Sequence, residues 1–221
     1  MAVELYDEHE QSERVRSWLS EYGVSIVMGL VLALGGIFGF RYWQDQQTAA
    51  SLLAADYYAV IRDEIQADRL EFAEEQFQAM QDAVGDSPYA GLASLLMAGA
   101  YIDDGRLDPA VDLYRKVLND AALTSVHPMT TTRLARVLHA QGDSSAALAL
   151  VDGQAPEGFR GAWAEIRGDI LMSQGNLNQA RTAYQEALDN QVGQGMGRSL
   201  LQIKLDATGP GLEENMDEEA S

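Results

Sequence analysis

The apolar positions of this chain follow two different patterns. Val24 to Phe40 reads VSIVMGLVLALGGIFGF, 17 residues without a charge, whereas after Gln44 apolar residues recur at spacings of three and four. Continued through Trp43, the apolar run is long enough to cross a hydrocarbon core of about 30 Å as a helix. The later spacing is typical of amphipathic helices, with glycine and polar residues between them. The pattern predicts one membrane-spanning helix followed by several shorter helices.

The apolar run has three interpretations: a cleaved signal peptide, a buried core helix or an uncleaved signal anchor. A cleaved signal peptide needs a basic start and a small-residue cleavage site, but the first 23 residues are acidic and the run ends in Arg41-Tyr42-Trp43. A buried helix of a soluble core is a second interpretation, since glycines lower the hydropathy of the run. Aromatic residues on both sides, such as Trp18 and Trp43, are typical of membrane interfaces. This arrangement favours the third interpretation, an uncleaved signal anchor.

Small residues four apart within the run predict a contact between membrane helices. Such residues let a second helix approach closely, although glycine is also common in spans without any partner. The predicted packing positions form two pairs: Gly29 with Ala33, and Gly35 with Gly39.

A repeated block lies in the second region. Gly105-Arg106-Leu107-Asp108-Pro109-Ala110 recurs in altered form from Gly175 and from Gly142, and a weaker copy lies around Ala73. The equivalent alanines are 37, 37 and 33 residues apart. The glycine is expected to end the first helix of each pair, and the Asp108-Pro109 step to start the second. The positions expected to pack the helices together are Ala73, Ala98, Ala110, Tyr114, Ala135, Ala147, Gly168, Ala180 and Tyr184.

This block resembles the tetratricopeptide repeat, and three good copies with one weak copy cover about residues 55 to 190. The resemblance implies an all-α fold: one N-terminal transmembrane helix, then a tetratricopeptide-repeat-like α-solenoid closed by a last helix from about Gly195 to Leu205. A generic helical bundle is the alternative. In the family, the first helix of each repeat lines a protein-binding groove. Carried over to the three good copies, the groove residues are Leu92, Leu95, Ile102, Met129, Arg136, His139, Glu165, Asp169 and Met172.

The net charge and the absence of catalytic motifs argue against several classes of function. A net charge of −19 excludes general nucleic-acid binding, which needs clustered Lys and Arg. The chain has no cysteine and lacks the common catalytic and phosphate-binding motifs, and its His and carboxylate residues show no paired ligand spacing. We therefore expect no enzyme activity, no cofactor and no metal. The last residues, 206–221, carry six acids and no base, and are expected to be a disordered acidic tail.

The whole layout is similar to one bacterial family. An acidic start, a glycine-rich span leaving through Arg41-Tyr42-Trp43, and the segments Tyr89 to Leu95, Arg133 to Val137 and Arg167 to Asp169 resemble the ancillary subunit of the Sec translocon (the YfgM family). The resemblance runs from about Tyr6 to Leu205. It implies an inner-membrane protein that associates with the translocon and with a membrane-anchored, prolyl-isomerase-like (PpiD-like) periplasmic chaperone. It also implies that the protein hands unfolded secretory proteins to periplasmic chaperones, and that its cytoplasmic segment has a regulatory role.

Together these observations give a domain plan. Residues 1–23 are a cytoplasmic acidic segment, 24–43 the transmembrane helix in membrane lipid, 44–205 the periplasmic repeat domain and 206–221 the tail. Arg14 and Arg16 before the span outnumber Arg41 directly after it, which favours a cytoplasmic N-terminus by a small margin. The alternative function is a membrane-anchored scaffold for an envelope complex that binds no client chains.

Overall fold

The computed structural model describes residues 4–191 and 195–209, and these residues form helices without any strand. The expectation of an all-α chain is confirmed. The α-helices are α1 (Glu4–Gln66), α2 (Leu70–Val84), α3 (Pro88–Asp103), α4 (Leu107–Asn119), α5 (His127–Ala140), α6 (Ser144–Val151), α7 (Arg160–Ser173), α8 (Leu177–Asp189) and α9 (Met196–Asp206), and a 3₁₀ segment, Ala121–Val126, joins α4 to α5.

The chain divides into two units, of which the first is Met1–Leu53. Its described residues belong to α1, the one described helix that is long and apolar enough to cross a membrane, and no part of its most apolar stretch is buried. A Cβ added at Gly29, Gly35 or Gly39 would meet no atom within 4 Å. At 3.6 residues per turn, Gly29 and Ala33 lie about 120° around the helix from Gly35 and Gly39. The two small-residue pairs therefore face different directions, and their contact with another helix stays a prediction.

The second unit, Ala54–Ser221, contains the repeats. The end of α1 pairs with α2, and α3/α4, α5/α6 and α7/α8 are the three following pairs. Ala54 and Ile61 of α1 are completely buried in the core of this unit, whereas the side chains of residues 44–53 are exposed. The compact unit thus begins ten residues after the predicted start of the repeat domain at residue 44.

The same turn joins the two helices of every pair. In three of them, glycine has a positive φ: 78° at Gly105, 88° at Gly142 and 77° at Gly175. The residue after Gly105 donates its N–H to the carbonyl of Tyr101 at 2.7 Å, and Gly105 donates to Ile102 at 3.0 Å, which is the Schellman arrangement. The weak first copy makes the same two bonds around Asp68, whose φ is 57°. Its turn was difficult to recognise because aspartate replaces glycine.

Helix α4 starts one residue before the predicted Asp108-Pro109 step, and both residues lie in its first turn. The helix begins at Leu107 without a side-chain cap, and Asp108 instead accepts a hydrogen bond of 2.7 Å from Nε2 of Gln141 in the next repeat. Asp143 does cap α6, because its carboxylate accepts the N–H of Ala146 at 3.0 Å. That bond, followed by the bond from the Ser145 hydroxyl, lowers the pKa of Asp143. The aspartates after the two turn glycines therefore have different roles: Asp143 caps its own helix, whereas Asp108 bonds to the next repeat.

The core lies between the paired helices, in two clusters. The larger runs from Ala54 to Ile170, and the smaller joins α8 and α9 through residues such as Tyr184, Leu201 and Leu205. Space is tight at Gly168, where an added Cβ would lie 2.5 Å from the Tyr184 ring. All nine predicted repeat-packing positions are buried: Ala73, Ala98, Ala110, Tyr114, Ala135, Ala147, Gly168, Ala180 and Tyr184.

The last helix ends close to the predicted boundary. Asp206 is the final residue of α9, and Thr208 beyond it is buried and donates its hydroxyl to the carbonyl of Leu205 at 2.6 Å. Ordered structure thus extends into the start of the segment predicted as tail. Residues 210–221 lie outside the described residues, so the expectation that they are disordered stays a prediction.

Candidate protein-binding site

A groove of about 490 Å³ opens between α3, α4 and α5, and we call it the α3–α5 groove. Helical spacing explains it. Gly99, Ile102 and Asp103 lie three and four apart on α3, and the residues from α5 repeat at the same spacings, so that each helix presents one face. The lining residues are Gly99, Ile102, Asp103, Leu107, Tyr114, Arg133, Arg136, Val137 and Ala140.

The groove combines an apolar floor with a mostly basic rim. Ile102, Leu107 and Val137 supply apolar surface, while Arg133 and Arg136 are exposed. Burial raises the pKa of Tyr114, and the nearby Arg133 guanidinium opposes that shift. Such a surface can bury apolar side chains of an extended segment and pair with acidic groups beside them.

A charged network occupies the neighbouring face of α7. Arg136 lies 3.6 Å from Glu165, which accepts a hydrogen bond of 2.7 Å from Lys204 of α9. Lys204 also reaches Asp169 at 2.8 Å, and the Tyr184 hydroxyl donates to the same carboxylate at 2.8 Å. Glu165 and Asp169, predicted as groove residues, therefore hold the last helix in place.

The other predicted groove residues are spread over different environments. Ile102 and Arg136 line the α3–α5 groove, and Leu92 is exposed on α3 outside it. The placement of Leu95 in the groove needs correction: its side chain is only 6% exposed and belongs to the core. The remaining three are half-buried: Met129 packs on the larger cluster, Met172 on the smaller one, and His139 lies beside Ser144 with Nδ1 2.9 Å from Oγ.

Sequence reasoning missed the basic rim. It predicted Arg136 as a groove residue but not Arg133, and the two line one groove in the folded chain. Their spacing of three on a helix places both on one face, and this signal was available in the sequence. The role of Lys204 was also missed, because its partners lie 35 and 39 residues away.

A second, larger groove of about 730 Å³ lies where α2 ends beside α3, α4 and the 3₁₀ segment. Its lining is more polar and includes Gln81, Asp86, Asp112, Arg115 and Lys116, and Lys116 donates a hydrogen bond to the Gln81 amide oxygen. No residue predicted for binding lines it. This groove offers less apolar surface for an extended chain than the α3–α5 groove.

The two histidines whose side chains are described have structural contacts. His127 donates Nε2–H to the carbonyls of Val117 at 3.1 Å and Asp120 at 3.0 Å, which ties the start of α5 to the end of α4. His139 contacts Ser144 at the next turn. Within the described part of the chain, no three His, Asp or Glu side chains are arranged to hold a metal ion.

Comparison with known proteins gives a family. Residues 16–210 match the tetratricopeptide repeat-like domain family. The match includes the candidate span, the four helix pairs and α9, and it ends where residues 211–221 begin.

Several curated relatives have one name and nearly the same length. The chain is 28% identical to the ancillary SecYEG translocon subunit of Escherichia coli (strain K12), over 92% of this chain and 98% of the relative. It is 28% identical to the protein of that name from Neisseria gonorrhoeae, over 94% and 99%, and 25% identical to that of Haemophilus influenzae, over 90% and 96%. The repeats, their packing and these similarities show that the chain belongs to the tetratricopeptide repeat-like domain family and resembles its ancillary SecYEG translocon subunits over nine-tenths of its length.

Proposed function

We propose that this protein is a membrane-anchored adaptor of the Sec translocon that binds newly translocated chains and passes them to periplasmic chaperones. The observation that carries the association is the similarity to proteins named ancillary SecYEG translocon subunit, which extends over at least 90% of this chain. A similarity of that extent includes both the apolar helix and the repeats. The same similarity supports a protein without enzyme activity.

The anchor and the repeats suit an adaptor. An exposed apolar helix near the N-terminus would hold the repeat domain beside the channel at the inner membrane. The α3–α5 groove offers apolar surface for unfolded segments, with arginines at its rim for acidic side chains. Its contacts are few, so that binding is weak and a client can move on to a PpiD-like, membrane-anchored chaperone. We place the N-terminus in the cytoplasm and the repeat domain in the periplasm.

Site-specific photocrosslinking in cells tests this function. Ile102 should be replaced with a photoreactive benzoyl-phenylalanine, because it lines the groove and is only half-buried. Leu95 would be a poor position, since a large residue there disturbs the core. We expect capture of several secretory chains during export. Phe72, 57% exposed on α2, is the matched control, and a probe there should capture far fewer.

The captured proteins decide between the adaptor and the scaffold. A range of secretory chains at Ile102, lost when export is blocked, supports the adaptor. A single stable envelope protein at the same position, unaffected by the block, would overturn client binding and favour the scaffold. Copurification of the Sec channel with the full chain in mild detergent tests the association itself. Its absence in several detergents would contradict the translocon assignment.

A further inference from the structure

The α3–α5 groove carries two exposed arginines, Arg133 and Arg136, and one exposed carboxylate, Asp103, in an otherwise acidic protein. Of the described carboxylates, none forms an ion pair with Arg133, and Arg136 reaches Glu165 at the long distance of 3.6 Å with 56% of its side chain exposed. Exposed cations near apolar surface favour an acidic, partly apolar partner, because ion pairing and burial then act together.

The end of the same chain has that chemistry. Residues 210–221 contain five acids and no base, and carry Leu212 and Met216 among them. Residues 211–221 also lie outside the family match. Residues 207–210 separate them from the end of α9.

The groove is within reach of this segment. Lys204 of α9 contacts Glu165 at 2.7 Å, and Glu165 contacts Arg136 at 3.6 Å. Two contacts therefore connect α9 with the groove rim. Twelve extended residues span at most about 40 Å, which exceeds the combined length of the three side chains and two contacts in that path. The segment that follows Gly209 is therefore long enough to reach the groove rim.

We propose that residues 211–221 of the same chain dock in the α3–α5 groove and compete there with client chains. The acidic side chains pair with Arg133 and Arg136, and Leu212 or Met216 contacts Ile102 and Val137. The docking is a regulatory device for the site of the proposed function: a client must displace the segment, and a released groove is refilled. The competition rests on the proposed function, whereas docking itself does not.

The attachment of the segment to the same chain determines how strongly it weakens client binding. A short tether gives the segment an effective concentration in the millimolar range. A segment affinity between about 0.1 and 1 mM then weakens client binding about two- to tenfold. The ion pairs are exposed, so that raised salt reduces the effect.

The first experiment uses the purified full chain in detergent, with the photoreactive residue at Ile102. Trypsin has no site after Lys204, so the segment is released as the peptide from Leu205 to Ser221. We expect a crosslink between that peptide and α3. A yield no higher than from the control position Phe72 would overturn the proposal. Crosslinks between light and isotope-labelled chains in a mixed sample would also overturn it, since they place the segment of a second copy in the groove.

Charge reversal tests the recognition. R133E with R136E should abolish the crosslink, and R133K with R136K should retain it. R115E with R160E changes the net charge equally at exposed arginines outside the groove and should leave the crosslink intact. Equal loss in the two glutamate variants would contradict docking at this rim. Circular dichroism verifies that each variant is folded.

Client competition is measured with reduced, carboxymethylated α-lactalbumin as a permanently unfolded probe. A chain that stops after Gly209 should bind it two to ten times more tightly than the full chain, and a synthetic peptide of residues 210–221 should reverse the gain. If neither chain binds the probe but the crosslink forms, the proposed function fails and docking stands. If both chains bind equally and no crosslink forms, the proposed function stands and this inference fails.

Discussion

At the scale of single residues, one backbone conformation recurs at the turn of every helix pair. Gly105, Gly142 and Gly175 have φ near +80°, where a Cβ would approach the following carbonyl oxygen. Asp68 adopts the same conformation with a side chain. The four positions therefore carry different amounts of strain in one turn type, and two substitutions test this.

Replacing Gly105 with alanine should lower the free energy of unfolding by about 1–2 kcal/mol, because alanine is strained at positive φ. Gly99 is the control: it lies inside α3, and nothing is within 4 Å of an added Cβ. Gly99→Ala should raise stability by about 0.5–1 kcal/mol. Urea unfolding of the full chain, followed by circular dichroism, measures both. Equal effects of the two substitutions would contradict the role of φ.

Replacing Asp68 with glycine should stabilise the protein by up to about 1 kcal/mol, since relief of strain exceeds the added entropy of the unfolded chain. Asp104 is the matched control, because it lies one residue before Gly105 with an ordinary φ of −81°. Asp104→Gly should destabilise. Thermal unfolding of both variants compares them, and a loss of stability in Asp68→Gly would show that its side chain has another role.

At the scale of elements, α9 closes the stack through both apolar and charged contacts. Leu201 and Leu205 are buried against α7 and α8, and Lys204 bridges Glu165 and Asp169. Without the ammonium group, two carboxylates would lie close together without a cation between them. The bridge thus adds to the apolar contacts that keep this helix docked.

Lys204→Met should loosen α9 by about 1 kcal/mol, a value that allows for the partial exposure of the ion pairs. Hydrogen exchange of residues 196–206 should become roughly fivefold faster, with little change in α3. Lys204→Arg keeps the charge and should retain most protection. If the methionine variant exchanges at the same rate as the parent, apolar contacts alone hold the helix.

Alkaline pH should act on the same contact. Burial lowers the pKa of Lys204, but hydrogen bonds to Asp169 and Glu165 and their charges raise it above its ordinary value. Burial and the bond to Asp169 also raise the pKa of Tyr184. Both groups hold protons more strongly in the folded chain, so their contribution is present below about pH 10 and is lost as the pH rises further. Thermal unfolding measured up to about pH 11 should decline more steeply for the parent than for Lys204→Met.

At the scale of the whole molecule, function depends on which side of the membrane holds the repeats. The basic residues near the span favour a cytoplasmic N-terminus by two to one. The long acidic domain after the span gives little guidance, because large domains cross regardless of charge.

Fusion of alkaline phosphatase after Ser221 should therefore give an active enzyme, since this reporter folds only outside the cytoplasm. Fusion of the same enzyme after Gln11 with the rest of the chain removed should be inactive. A green fluorescent protein at Ser221 should be dark when exported through the Sec channel. A fluorescent protein fusion at Ser221 that is bright, together with an inactive phosphatase fusion, would show the opposite orientation and contradict a periplasmic client site.

Much of the fold could be predicted because its determinants are local. Glycine at the turns and alanine where helices cross depend on neighbours in the same helix pair, so Gly105 and Ala110 indicated their roles directly. The first repeat was harder to recognise, because aspartate stands at residue 68 where the other turns have glycine. The site was predicted less well. The family resemblance suggested Ile102 and Arg136, but a face carried over in this way also included Leu95, whose neighbours bury it.

The sequence by itself determined the apolar helix, the repeat period and the residues that pack each pair, since these depend on composition and on spacings of three and four. Only the tertiary structure decided which first-helix residues remain accessible. Lys204 reaches back 35 and 39 residues to occupy Asp169 and Glu165, and α3, α4 and α5 converge to form one groove. Such contacts depend on how the pairs stack, and the periodicity of a single helix carries no information about the neighbour that covers it.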